Sequence, residues 1–424
     1  MLLGAVLFVI FLGLIFFLFK VLRYLIISPT YIYLIFNVVV VILTVPYFYF
    51  YDNKFSIAEV DWIMAKDFWS VLNMYLIANI AFIFGFLLYH QVSTPKIRNL
   101  YKSDLNHKLF TKYIIPEYFI KIAYTLTLLV VVCYLFTYGK LLLVREDYIP
   151  EFENKFLITI AKVISLIGSI ILGLVHNKNK YSSWFLIVVI TAFTFATGSR
   201  ITFLILMLYF LTIFQMSGNT KKNKLRFLFQ IVISFVFLSY LISLRQLKEH
   251  GVVPYIATLF SEDSDIIESV AFNIYYSFIF GVFATARTIR EADPNWYYMY
   301  VSLNPLPGSM VGWPEVAENL KLTKFMPFTL HGQVFKMGYS FLVFFFLLIG
   351  SLFSFFEKKI RKFLINDKKR TAVLFTLILS LFIFYSFEYH LRSAFRYIYY
   401  AYFVLLSVYF FQSLWRYIPK KKTQ

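Results

Sequence analysis

The sequence has few of the residues on which disulfide-bonded proteins, metal centres and nucleotide sites are built. Cys133 is the single cysteine and lies inside an apolar run. Because one cysteine has no partner in the chain, an intrachain disulfide and a thiolate metal cluster are excluded. It has no Walker motif, no glycine-rich dinucleotide fingerprint and no zinc-protease helix motif. We therefore expect no cofactor, no metal and no cytoplasmic nucleotide site.

Charge is scarce as well, because only 15% of the 424 residues are charged while 60% are hydrophobic. Uncharged runs of roughly 17–22 residues recur along the chain, and each is long enough to cross a bilayer as a helix. The sequence predicts an all-α polytopic membrane protein with a single integral membrane domain, 1–424. The predicted spans are 2–19, 30–51, 68–89, 117–138, 156–175, 182–197, 201–215, 227–244, 337–356, 371–387 and 395–414.

The loops between these spans divide into two alternating sets of very different charge. One set, which includes "EKKIRKFLINDKKR" and the C-terminal tail, carries the whole basic excess behind the net charge of +19. The positive-inside rule makes that face cytoplasmic. We therefore expect an extracytoplasmic N-terminus, a cytoplasmic C-terminus, no cleavable signal peptide and no nucleic-acid partner.

The motif "TGSR" then falls at the outer face, where the seventh span begins. Gly198 permits a tight turn, and Ser199 is suited to cap the incoming helix. Arg200 is predicted either to snorkel at the interface or to face an anionic substrate.

One outer loop, 245–336, is much longer than the others and is rich in aromatic residues and proline. Long loops of this composition are typically functional rather than disordered. Its apolar stretch near 269–286 is predicted as a helix or re-entrant element packed against the bundle. Trp296 and Trp313 are predicted as interfacial anchors or as a platform for stacking on sugars. His331 lies just before the next span and is a candidate catalytic residue, with a structural role as the alternative.

Several arginines lie where spans meet the outer face: Arg200, Arg245, Arg287, Arg290, Arg392 and Arg396. The last four form i, i+3 and i, i+4 pairs that can share a helix face. Arginine grips phosphate without losing its charge, so a diphosphate at the membrane surface would suit this set. Ion pairs with Glu268, Glu291 or Glu388 are the alternative.

An ordered combination of motifs carries a resemblance to a known family. "TGSR" opens an outer span, "TARTIRE" and "NPLPGSMVGWPE" lie in the large loop, and "LHGQVFKMGY" leads into the next span. Over most of the region from Thr197 to Tyr339 the chain resembles the Wzy-type polymerases, which join oligosaccharide repeat units during O-antigen and capsule assembly. The first 150 residues match only as generic spans.

The resemblance implies a GT-C-like helical bundle in the bacterial plasma membrane. Twelve or more spans are common in the family, so a twelfth crossing within 269–286 is the alternative to the eleven predicted above. It implies metal-independent glycosyl transfer between two undecaprenyl-diphosphate-linked oligosaccharides, with the lipid diphosphate as leaving group. Arg200, Arg287 and Arg290 match substrate-binding arginines of the family, and His331 matches a catalytic histidine of related ligases. His331, Arg287 and Arg290 are therefore the candidate catalytic residues. A chain-length regulator and a flippase of the same pathway are the implied partners.

Three other functions remain open from the sequence. A glycan ligase would use the same donor chemistry with another acceptor. A flippase for lipid-linked sugars would carry charge through its interior, yet only Lys121, Lys162 and Arg396 lie clearly inside predicted spans, with Glu117 at a span edge counted with the preceding loop. A structural membrane protein would not need the arginines.

Overall fold

The computed structural model describes residues 2–50, 65–93, 95–102, 105–109, 116–147, 154–199, 201–218, 220–244, 247–260, 266–323 and 326–417. The architecture in these ranges is almost wholly helical. The longer helices are α1 (Leu2–Val21), α2 (Pro29–Phe50), α3 (Ala65–Val92), α5 (Tyr118–Tyr138), α6 (Lys155–Val175), α7 (Lys180–Ala196), α8 (Ile201–Ser217), α9 (Lys221–Ser243), α12 (Phe280–Glu291), α16 (Tyr339–Ile365), α17 (Lys369–Glu388) and α18 (Leu391–Tyr417). The shorter ones are α4 (Pro95–Lys102), α10 (Val252–Leu259), α11 (Ile266–Ile274), α13 (Trp296–Leu303), α14 (Trp313–Asn319) and α15 (Leu330–Lys336). Strands β1 (Lys321–Thr323) and β2 (Met326–Pro327) pair antiparallel, with Lys321 opposite Pro327.

Within the described ranges, 10 helical segments are long and apolar enough to cross a membrane. They are α1, α2, α3, the α5 region, α6, α9, α16, α17, α18 and the segment Ile267–Glu291. The apolar helices α7 and α8 are shorter, at 17 residues each. Each of the eleven predicted spans coincides with a helix, and the chain is an all-α multi-pass membrane protein.

The helix predicted near 269–286 is present and is longer than expected. It combines α11, a π-helical turn at Tyr275–Ile279, and α12. A wide turn of this kind inside an α-helix is uncommon and often lies at a functional position. By length and composition the segment Ile267–Glu291 also qualifies as a membrane span, although the sequence analysis expected a membrane-packed element there.

The chain, treated above as one domain, forms two compact units, residues 1–105 with 275–424, and residues 106–274. The first unit is built around the crossing of α3 and α16. A Cβ on Gly85 would lie 2.0 Å from the Leu347 carbonyl oxygen, and one on Gly350 would lie 2.0 Å from that of Phe82. Glycine at these two positions lets the helix backbones touch, which is how helices associate inside a membrane.

The second unit packs α5 to α9 around a core with a polar centre. The Tyr209 hydroxyl lies 2.9 Å from Nδ1 of His176 and 3.1 Å from Oγ of Ser183, and Ser183 donates to the carbonyl of Leu172. These buried polar groups satisfy one another, as an apolar environment requires.

Candidate functional site

The candidate site in the first unit is assembled from the short helices of the large loop and the start of α18. Asn295 caps α13, since its Oδ1 accepts from the backbone N–H groups of Tyr297 and Tyr298. Thr329 caps α15 in the same way, through the N–H of Gly332. Side-chain caps of this kind fix where each short helix begins. The loop is therefore an ordered structure in its described part.

Arg392 is buried and fastens the segment that follows α13. Its guanidinium donates to the carbonyl oxygens of Val301, Asn304 at 3.1 Å and Leu306 at 2.6 Å. The indole of Trp313 lies 5.2 Å from the guanidinium carbon. Because most of its donors are used by the protein's own backbone, the geometry gives Arg392 a positioning role, with little left over for a ligand.

His390 and Arg396 lie beside Arg392. The His390 ring packs edge-on against Trp313, with centroids 4.7 Å apart, and its Nδ1 accepts from the N–H of Ser393. Burial lowers the pKa of His390 to about 4, with the nearby charges of Arg396 and Arg392 acting in the same direction. His390 is therefore neutral at pH 7, and its Nδ1 lone pair is already used.

Arg396 is half-buried one helical turn further along α18. In the part of the chain that the structure describes, it makes no ion pair and no hydrogen bond. Trp313, His390, Arg392 and Arg396 together are named the α18 cluster. It holds two guanidinium groups, one of which has no partner, next to a neutral histidine and an indole. A partly buried cation without a counter-ion is costly, so the cluster is suited to receive an anion.

The two loop arginines of α12 are both paired. Arg287 donates through Nε to Glu291 at 2.5 Å, and Arg290 donates through Nη2 to Asp67 at 2.9 Å. The ion-pair alternative is therefore realised for Arg287 with Glu291, one of its expected partners, whereas Arg290 pairs with Asp67, which the sequence analysis did not name. Both pairs are partly exposed, and such pairs are weak enough to exchange for a stronger anion.

His331 is 2% exposed and lies inside the first unit. Its Nδ1 donates to the carbonyl oxygen of Ser386 at 3.1 Å, which makes Nε2 the unprotonated nitrogen of the ring. Nε2 is buried without a hydrogen-bond partner in the described structure. The ring lies 4.4 Å from that of Tyr75 and stacks on Phe346. Burial lowers the pKa of His331 to about 4, so the residue is neutral.

A line of hydroxyl groups runs beside this histidine. The Tyr75 hydroxyl lies 2.9 Å from Oγ1 of Thr285, and that oxygen lies 2.7 Å from Oγ1 of Thr329. The line connects α3, α12 and the cap of α15. Neighbouring hydroxyls of this kind strengthen one another in a low-dielectric interior. His331 therefore lies in the interior, against the rings of Tyr75 and Phe346, rather than at the surface of the loop.

Trp296, at the start of α13, is 64% exposed, and its ring lies edge-on against that of Phe341, with centroids 5.3 Å apart. Tyr297 and Tyr300 of the same short helix are exposed too. The structure does not bring Trp296 into the α18 cluster. Its position suits either of the roles predicted from sequence, an interfacial anchor or a stacking surface.

Arg200 and Arg245 lie outside the described residues, but the turn before Arg200 is described. Gly198 has φ +64°, and Ser199 Oγ accepts from the N–H of Ile201, which confirms the predicted turn and cap. Both features follow from residue type alone.

The sequence-based set of outer arginines omitted Arg145. Its Nη1 donates to the carbonyl of Ala196 at 2.9 Å, directly before the TGSR turn. Its backbone pairs with that of His250 as an isolated antiparallel bridge. Arg145 lies shortly after the predicted outer end of one span, as Arg200 lies at the predicted outer start of another. Its position near a span end was the sequence signal from which Arg145 could have been added to the set. Within the described residues of the second unit, Arg145 is thus a basic side chain held against the start of the TGSR turn.

Among the described residues, no group of three or more His, Cys, Asp or Glu side chains is placed to hold a metal ion. Comparisons of the chain with protein-family models, with curated proteins and with solved structures found no match. The class of protein therefore rests on the helices themselves, which define a multi-pass membrane protein.

Proposed function

We propose that the chain is a polysaccharide polymerase that joins undecaprenyl-diphosphate-linked repeat units at the outer face of a bacterial plasma membrane. The observation that carries the proposal is the α18 cluster, in which Arg396 lies beside Arg392 without an anionic partner in the described structure. A diphosphate would supply the missing negative charge, and the indole of Trp313 would offer an apolar face to a sugar ring.

The position of α12 supports an outer location for the loop. Tyr275 packs on Tyr47 near the end of α2, with ring centroids 4.9 Å apart, and Arg290 binds Asp67 near the start of α3. The end of α2 and the start of α3 adjoin, since Phe48 stacks on Phe68. Both ends of the segment 275–291 thus contact the same end of this helix pair. The last turn of α12, which carries Arg290, thus lies beside the start of α3.

The proposed reaction transfers the growing glycan from its lipid carrier to a hydroxyl of the second unit. The acceptor oxygen forms a bond to the anomeric carbon, the bond from that carbon to the diphosphate oxygen breaks, and undecaprenyl diphosphate leaves with the electron pair. Arginines stabilise the charge that develops on the leaving group. Arg396 is the resident cation, while Arg287 and Arg290 would release Glu291 and Asp67 to join it.

The acceptor proton requires a base. His331 keeps an unused Nε2 lone pair, whereas the Nδ1 lone pair of His390 is occupied by the Ser393 N–H. His331 is therefore the better chemical candidate, although at 2% exposure it reaches an acceptor only if α15 moves. Its alternative is a positioning role for α15 and α17, through the bond to Ser386.

The test is deletion of the gene in its native host, complementation with variants, and analysis of surface and lipid-linked glycan on gels. We expect deletion and Arg396→Ala to abolish the ladder while single repeat units accumulate, and Arg396→Lys to restore it partly. Lys321→Ala is the control, because Lys321 forms a surface ion pair with Glu318 in the same loop.

The other outcomes separate the alternatives. A normal ladder in the deletion strain would overturn the proposal. Polymer that forms but is not attached to its final acceptor would identify a ligase. Lipid-linked units that accumulate on the cytoplasmic side would identify a flippase.

A further inference from the structure

The first unit contains two adjoining cavities at the end of the bundle opposite to the α18 cluster. One, of about 690 Å³, lies between α17 and α18 and is lined by Lys368, Thr371, Val404, Ser407, Val408, Phe411 and Gln412. The other, of about 240 Å³, reaches along the end of α16 and is lined by Lys359, Lys362, Phe363, Asn366, Lys368, Tyr409, Gln412 and Ser413. Lys368 and Gln412 belong to both walls, so the two form one groove, named here the α16–α18 groove.

The polar end of this groove is strongly basic. Lys359, Lys362 and Lys368 line it, and none of them forms an ion pair within the described ranges. Lys359 is held in place, since its Nζ donates to the Tyr409 hydroxyl at 2.8 Å. Glu357, which lies on the same helix, is already engaged by Arg361. The groove therefore offers uncompensated positive charge to an anion.

The other end of the groove is apolar and lies within a membrane-spanning helix. Val404 and Val408 belong to the span Leu391–Ser413, about two and a half and one and a half turns before its end. Neighbouring side chains of α18 are exposed, including Phe403 at 70% and Phe410 at 61%. Such exposure is stable only against lipid, so this part of the groove opens to hydrocarbon.

We propose that the α16–α18 groove binds one anionic phospholipid. The phosphate of the headgroup would contact Lys362 and Lys368, and an acyl chain would lie along Val404 and Val408. Basic pockets between membrane helices are suited to anionic headgroups, and an apolar wall continuous with the cationic end distinguishes a lipid site from a site for a soluble anion. The proposal is independent of the proposed function, because it uses no residue of the α18 cluster.

The test places the full-length protein in nanodiscs of phosphatidylcholine that contain a minor fraction of phosphatidylglycerol. Native mass spectrometry then counts the lipids that the protein retains. The double variant Lys362→Gln/Lys368→Gln is expected to retain about 30-fold less phosphatidylglycerol, since each lysine near such a headgroup contributes about a factor of 5 to 6. The control is Lys222→Gln/Lys224→Gln, which removes the same charge from exposed positions of α9. Equal losses in both variants would overturn the proposal, because they would reflect general attraction to the charged surface.

A second variant separates the lipid from a soluble anion. Val404→Trp narrows the apolar part and leaves all three lysines intact, so it is expected to lower phosphatidylglycerol retention at least about 5-fold. Excess sn-glycerol 3-phosphate is expected not to displace the lipid. Retention unaffected by Val404→Trp, or full displacement by glycerol phosphate, would show a soluble-anion site and would refute the proposal.

Discussion

The buried ion pair of α16 makes a quantitative prediction about stability. Glu357 and Arg361 are fully buried and paired at 2.9 Å. The second carboxylate oxygen accepts from Ser28 at 2.7 Å, and the guanidinium also donates to the carbonyl oxygens of Tyr101 and Arg23, at 3.2 Å and 2.8 Å. The pair thus ties the α1–α2 connection and α4 to α16, with each charged group fully hydrogen-bonded.

Glu357→Gln removes the negative charge and leaves Arg361 buried without its counter-ion. Breaking a buried pair in this way costs about 3–5 kcal/mol, because the remaining charge is not solvated. We expect that loss in the free energy of unfolding, measured by reversible denaturation of the purified protein in mixed detergent micelles. Glu117→Gln is the control, since Glu117 and Lys178 form an exposed pair whose removal should cost less than about 1 kcal/mol.

The double variant Glu357→Gln/Arg361→Met tests the reasoning itself. If the cost of Glu357→Gln arises from the uncompensated Arg361 charge, removing that charge should restore part of the lost stability. A single variant that loses less than about 1 kcal/mol, or a double variant that is as unstable as both singles combined, would refute the account.

Three further variants test the first unit. Gly350→Leu should abolish the yield of monodisperse, folded protein, because the added Cβ would lie 2.0 Å from the Phe82 carbonyl oxygen. Gly13→Leu is the control and should be tolerated, since nothing lies within 4 Å of a Cβ at that position. Arg392→Lys should leave yield unchanged but expose the segment 301–306 to proteolysis, as a lysine cannot reach three carbonyls at once. His331→Phe should keep the fold but lower polymer synthesis about 100-fold or more if His331 is the base, and full activity would assign it a packing role. Burial holds the pKa of His331 in the folded protein near 4, below its unfolded value of 6.5. The contribution of this residue to folding stability is therefore fully present above pH 6.5 and is lost as the pH falls toward 4. His331→Phe should flatten the dependence of stability on pH in that range.

Much of the fold could be predicted from the sequence because membrane helices are specified locally. Hydropathy alone located eleven helices, and residue type alone predicted the turn at Gly198 and the cap at Ser199. Hydropathy failed where charge is buried: α16 was expected to end near residue 356 but runs to Ile365. Glu357 and Arg361 made that stretch resemble a loop, since their partners lie far away in the sequence.

The site was less predictable for the same reason. Arginines at span ends could be identified, but whether each one has a partner depends on distant chain segments. Arg392 binds carbonyls of residues 301–306, which no local pattern indicates. Nothing in "LHGQV" distinguishes an exposed histidine from His331, which is 2% exposed. The sequence thus identified which residues could act, and the structure identified which of them are already occupied.

The contacts that hold the first unit together also show where function and stability can be separated in experiments. The crossing of α3 and α16 is a backbone-to-backbone contact at Gly85 and Gly350, so a change there disturbs the whole first unit. The loop end is held differently, by single side chains such as Arg392 that bind backbone carbonyls. Losing one such bond releases a short segment while the helices that surround it stay packed. Arg396 contributes to neither kind of contact in the described structure. A loss of activity in Arg396→Ala with unchanged stability would therefore report on the ligand that this residue binds.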